Sequence, residues 1–160
     1  MERKEQANML NRRHVAAGAL LLGGAAATVH SPAVAREEGP IAQPASPTSR
    51  NFVERAFAMR DLAVSNGDQG YGALIVDGNG KIVGQAPSRV VTNSDPTAHA
   101  EMEAIRDAAK RLRTRNLSNH VMYSSSRPCP MCEAAAYWAN VKLMYYGRAG
   151  DEAGEPRLCR

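Results

Sequence analysis

The chain has 160 residues, 20 Lys+Arg against 16 Asp+Glu, 44% hydrophobic and 5% aromatic content, 13 Gly, 9 Pro and 3 Cys. That length allows one domain or two, and the apolar share excludes a wholly disordered chain. Three cysteines exclude a disulfide-dense scaffold, and a net charge of +4 is too small to argue for nucleic-acid binding.

Residues 1–14 are polar and net basic. Residues 15–29 (VAAGALLLGGAAATV) are apolar, and Ala33-Val34-Ala35 follows. This is the layout of a secretory signal peptide cleaved after Ala35. The apolar run is shorter than the ~20 residues of a membrane span, although an uncleaved anchor competes with the signal reading. Arg12-Arg13 stands just ahead of the run and resembles a twin-arginine signal over residues 1–35. The expectation is a periplasmic or secreted protein with no stable membrane anchor after cleavage, or a cytoplasmic one if the signal is not used. Residues 36–49 (REEGPIAQPASPTS) hold three prolines and few large apolar groups, which predicts a linker. The globular domain is then residues 50–160.

Within it, residues 51–65 put Phe52, Ala56, Met59, Leu62 and Ala63 on one helical face, with Asn51 as N-cap and Asn66-Gly67 as the stop. GALIVD (72–77) reads as a buried strand, Asp77-Gly78-Asn79-Gly80 as a hairpin turn and 81–86 as the returning strand. A second helix is predicted from Thr97 to about Arg113, with Met102, Ile105, Ala109 and Leu112 facing inward. A strand over 121–125, a helix over 129–139 opened by Pro128 and Pro130, and a strand over 141–147 complete the order. Helices alternating with the later strands predict an α/β sandwich whose last strands run parallel.

Two fragments carry chemistry: His99-Ala100-Glu101 and Pro128-Cys129-Pro130-Met131-Cys132. CxxC alone is also compatible with a redox pair or half of a structural zinc site. An H-x-E fragment before one helix with PCxxC opening another is the narrower signature of zinc-dependent deaminases. Two cysteines three apart at a helix start can bend toward one point, and the helix dipole there favours thiolates. A histidine in the first turn of the preceding helix reaches the space ahead of it. His99, Cys129 and Cys132 therefore make three ligands for Zn2+ and leave a fourth position open, the mark of a catalytic site. Two thiolates balance the ion's charge. Water at the open position has its pKa pulled toward about 7, and Glu101 is placed to shuttle its proton to a ring nitrogen and then to the departing ammonia.

These fragments, with GALIV (72–76), DPTAHAEM (95–102), AIR (104–106) and AYWA (136–139), resemble the cytidine deaminase-like superfamily. Within it the chain is similar to the bacterial guanine deaminase and tRNA adenosine deaminase branch over about residues 50–148. The resemblance implies a three-layer α/β/α sandwich with a central mixed sheet, one zinc per chain, a homodimer and a small nucleobase or nucleoside substrate. It places Trp138 in the base pocket, where an aromatic ring can stack on a purine; core packing is the competing role. It also makes Ala100 and Ser88 substrate contacts. Several positions depart from the branch. Ser88 stands where an asparagine is usual, and a hydroxyl lacks an amide's paired donor and acceptor. Gly70-Tyr71 replaces Pro-Phe, and Arg127 replaces the glutamate before Pro-Cys. The ending GRAGDEAGEPRLCR is too short and polar for the further structure that closes the pocket in relatives.

Guanine is the leading substrate. A tRNA or RNA adenosine or cytosine is the second, and a zinc-binding protein of this fold that has lost catalysis is the reading from another class. The basic run Lys110-Arg111-Leu112-Arg113-Thr114-Arg115 suits a solvated helix C-terminus. No aromatics interleave with it, so nucleic acid is not the expected partner. Cys159 is a leftover thiol, able to cross-link two chains in an oxidising compartment or simply part of the tail.

Overall fold

The structure, a computed structural model, describes residues 39–150 and 152–158. The signal-peptide reading of residues 1–35 and Cys159 lie outside the described residues. Helix α1 (Ser49–Ser65) starts before Asn51 because Thr48 is the N-cap, its Oγ1 accepting from the Asn51 N–H at 3.3 Å. Its buried stripe is Phe52, Val53, Ala56, Met59 and Ala63. Strands β1 (Gly72–Val76) and β2 (Ile82–Pro87) form an antiparallel hairpin in the register Gly72↔Pro87 to Ile75↔Gly84. Asp77 Oδ1 holds the turn, accepting from the Asn79 and Lys81 N–H groups, each at 2.9 Å.

Helix α2 (Ala100–Leu112), strand β3 (Val121–Ser124), helix α3 (Pro130–Trp138) and strand β4 (Leu143–Tyr146) follow, and β5 (Glu152–Gly154) ends the order. The sheet runs β2-β1-β3-β4-β5, with β3 and β4 parallel across the α3 connection and the other pairs antiparallel. Strand alternation sorts the core into two faces. Leu74, Val76 and Tyr123 pack under Phe52, Val53, Ala56 and Met59 of α1. Ala73, Ile75, Met122 and Met144 pack under Ala100, Ala104, Ala108 and Ala136 of α2 and α3. This is the three-layer α/β/α sandwich with a mixed sheet that the sequence leads one to expect.

Three features differ from the sequence reading. Of Met102, Ile105, Ala109 and Leu112 only Ile105 packs on this core, half-buried: the fully buried apolar residues of α2 are Ala100, Ala104 and Ala108, while Leu112 is exposed. The cause is Gly84 on β2, where an added Cβ would lie 2.6 Å from the Ala104 carbonyl oxygen and 2.6 Å from Ala108 Cβ. Helix and strand meet nearly backbone to backbone, which only small residues permit. Second, part of the Pro-rich stretch is tied down. Gln43 Nε2 donates to the Ile82 carbonyl at 2.9 Å, its Oε1 accepts from the Ile82 N–H at 2.7 Å, and Ile41 packs on the α1-side core. One side-chain amide thereby satisfies both backbone groups of Ile82 at the open edge of β2. Third, the polar tail contributes β5, paired with β4 from Met144↔Gly154 to Tyr146↔Glu152 after turns at Gly147 and Gly150, both at positive φ. Among the described residues no helix is long and apolar enough to cross a membrane.

Candidate active site

His99 and Cys129 are the N-cap residues of α2 and α3, and neither side chain caps its own helix. His99 was expected inside a helix beginning at Thr97. Instead Asp95 Oδ1 accepts from both the N–H and the hydroxyl of Thr97, each at 2.8 Å, and closes a turn that delays the helix to Ala100. Pro130 opens α3, where its missing N–H costs nothing. Cys132 lies in the first turn, fully buried.

The histidine and both cysteines converge. Cys129 Sγ is 3.6 Å from Cys132 Sγ, and each sulfur is 3.7 Å from His99 Nδ1. A tetrahedral zinc at ~2.3 Å from sulfur and ~2.0–2.1 Å from nitrogen would set the sulfurs about 3.8 Å apart and each about 3.6 Å from the nitrogen. The three atoms thus already match that triangle to within about 0.2 Å. Burial pushes the Cys132 thiol far above its usual range, and the negative charges of Glu101 and Cys129 add to the shift. A cation at the centre of the triangle offsets each of these penalties.

Glu101, on the first turn of α2, is buried and is not one of the three ligands. Its Oε1 accepts from Ser124 Oγ at 2.8 Å, and Cys132 Sγ lies 3.5 Å from its Oε2. Beside the cluster a cavity of about 180 Å³ is walled by His99, Glu101 and Cys129 on one side and by Gln69, Tyr71, Ser126 and Arg127 on the others. The sequence reading did not single out Ser124. Its signal was alternation: Ser124 is two residues after Met122 on β3 and so shares the strand face that looks at α2.

None of the three residues carried over as substrate contacts is among those that wall this cavity. Trp138 is 70% exposed at the end of α3, edge-on to Tyr137, and does not line this cavity. Ala100 is buried in the core under α2. Ser88 is buried with its hydroxyl committed to Asp68 at 2.9 Å. Asp68 also accepts from the N–H groups of Gln69, Val91 and Thr92 and from the Thr92 hydroxyl. Burial works against that charge, but the hydrogen bonds from Thr92, Ser88 and Gln69 outweigh it and hold the carboxyl at about 2, down from 3.8. Ser88 therefore fastens the loop ahead of α2 instead of facing the cavity.

The model of the cytidine and deoxycytidylate deaminase zinc-binding region matches residues 46–148. The chain belongs to this deaminase family. Among curated relatives it is 41% identical to the guanine deaminase of Bacillus subtilis over 65% of its own length and 67% of the relative's. It is 33% identical to the tRNA-specific adenosine deaminase of Haemophilus influenzae over 62% of its own length and 57% of the relative's. A crystal structure of the Bacillus guanine deaminase superposes with a TM-score of 0.60 at 40% identity, covering 62% of this deaminase-family chain and 64% of the other. The chain thus spans less than two thirds of that solved relative.

Proposed function

We propose that this chain is a zinc-dependent hydrolase that exchanges the exocyclic amine of a nucleobase for a carbonyl, with guanine as the favoured substrate. One observation carries the reading: a three-ligand cluster of zinc dimensions sits beside a buried carboxylate that is hydrogen-bonded by Ser124 and left out of the ligand set. His99, Cys129 and Cys132 would hold one zinc per chain. When bound, the ion acts as an electrophile and lowers the pKa of a water at its fourth position toward about 7. Ser124 fixes one oxygen of Glu101. Cys132 gives up its proton on binding metal, which frees the other oxygen to accept a proton and return it, first to a ring nitrogen and then to the amine that departs as ammonia. Water supplies the carbonyl oxygen, so the reaction balances as one base and one water to one oxo-base and one ammonia.

The guanine assignment is supported by the 41% identity to a guanine deaminase. An RNA adenosine is the second reading, supported by the tRNA-specific relative. A homodimer and export by the twin-arginine route belong to the same proposal. Exposed Tyr137 and Trp138 on α3 offer apolar area to a second copy, and folding around zinc before export protects the thiols from oxidation. The test is ammonia release from a panel of guanine, adenine, cytosine, their nucleosides and a tRNA anticodon stem-loop. Turnover of guanine ahead of the others supports the assignment. Turnover of the RNA alone transfers it to the second reading, and none from a zinc-loaded chain leaves a non-catalytic zinc protein.

A further inference from the structure

The cavity beside the ligand triangle measures about 180 Å³, below the ~300–1,000 Å³ of pockets that enclose drug-sized ligands. It has room for one heterocycle, which then meets the reacting wall of His99, Glu101 and Cys129 and the opposite wall at once. On the opposite wall Gln69 is fixed through its backbone. Its N–H donates to Asp68 Oδ1 at 2.8 Å, and its carbonyl accepts from the Tyr71 N–H at 2.7 Å. Asp68 is held in turn by Ser88, Val91 and Thr92, on the segment that leads to His99. With both backbone groups engaged, what Gln69 offers the cavity is its side-chain amide. Among the described residues that amide has no hydrogen-bond partner. The other polar groups of this wall are simpler. Arg127 only donates, and its guanidinium lies over the Tyr146 ring, 5.8 Å from the centroid. Tyr71 and Ser126 supply one hydroxyl each. Gln69 alone joins a donor and an acceptor in one rigid plane.

We propose that Gln69 is a specificity-determining residue whose amide reads the lactam edge of the base. Its carbonyl accepts from the N1–H, and its N–H donates to the oxygen on C6. Guanine carries the amine to be exchanged on C2, between N1 and N3. Holding the N1–H and the C6 oxygen therefore leaves N3 as the ring nitrogen for the proton that Glu101 moves. Adenine carries its amine on C6. With that carbon at the reacting wall, the same two positions hold a bare N1 and a C2–H, so half of the amide is left unpaired, which costs affinity. The inference rests on the guanine reading of this cavity and names the residue that separates guanine from adenine there.

The test is calorimetric binding of hypoxanthine and purine to the zinc-loaded full chain, for the wild type, Gln69→Met and Gln69→Asn. Neither base has an amine to lose, and the two differ by the lactam edge alone. Hypoxanthine is expected to bind about tenfold more tightly than purine, as one further hydrogen bond in a dry site allows. Gln69 is exposed and its side chain holds nothing in the fold, so the variants should fold and keep their zinc. Gln69→Met keeps the length of the side chain without the amide and abolishes the gap. Gln69→Asn keeps the amide on a shorter stem and retains part of it. Equal affinities in the wild type, no binding of either base, or a gap that survives Gln69→Met overturns the proposal. So does loss of zinc in Gln69→Met, which would make Gln69 part of the scaffold. Ammonia release from guanine is measured in parallel. Turnover with a gap indifferent to Gln69 rejects the proposal and leaves the reaction standing. A gap that depends on Gln69 without turnover rejects the reaction and leaves the recognition standing.

Discussion

Replacing Glu101 with glutamine separates proton transfer from metal binding. The variant keeps the side-chain volume in a position where only 4% of the residue is exposed, so no cavity opens and no water replaces the lost group. Its amide can still meet Ser124 Oγ, 2.8 Å from one oxygen, and can donate to Cys132 Sγ, 3.5 Å from the other. What disappears is the ability to take and return a proton. General acid–base catalysis contributes about 10²- to 10⁴-fold, or roughly 3–5 kcal/mol of barrier. The three ligands are untouched, and loss of the glutamate's charge removes one of the influences that raise the Cys132 thiol. The expected outcome is zinc content equal to wild type by elemental analysis, with ammonia release at saturating guanine down by at least two orders of magnitude. Activity within tenfold of wild type at full zinc occupancy would refute the proton-shuttle role. Zinc lost together with activity would show that Glu101 belongs to the ligand set.

Other substitutions probe the scaffold and the metal. Cys132→Ser removes one corner of the ligand triangle, so purified protein should carry little zinc and show no turnover, measured by elemental analysis and ammonia release. Gly84→Ala drives a methyl to 2.6 Å from Ala108 Cβ; about 1–3 kcal/mol of stability should be lost in denaturant unfolding, with turnover falling as α2 shifts. Asp68→Asn should cost about 1 kcal/mol near neutral pH, after allowance for solvent screening. Because Asp68 is lowered from 3.8 to about 2, its stabilisation is complete above pH 3.8 and disappears as pH falls toward 2, so the stability difference between wild type and variant should close over that window.

Local patterns were the legible part of this chain. The stripe on α1, the hairpin turn at Asp77 and the two fragments His99-Ala100-Glu101 and Cys129 to Cys132 are each built of residues close in sequence. Where an outcome depended on a distant residue, it could not be read. The buried face of α2 was assigned to its large apolar residues, yet Gly84, on a different element, draws in the alanines. One miss was local: His99 was placed inside a helix, whereas the Asp95 side chain builds a turn with Thr97 that delays it. The substrate roles of Ser88 and Trp138 came from resemblance, and the structure commits the first to Asp68 and turns the second to solvent. Strand β5 was unreadable in a stretch of glycines and acids because it forms only against the open edge of β4.

The alanine seam between α2 and β2 bears on how this deaminase-family chain could change its substrate. With main chain against main chain, there are no rotamers there to repack, so His99 and Glu101 inherit their positions from the backbone of the sheet. The opposite walls, Gln69, Tyr71, Ser126 and Arg127, stand outside regular helix and strand, where replacements disturb little else. Chemistry and selectivity therefore reside in mechanically separate parts, and the second can drift while the first stays rigid.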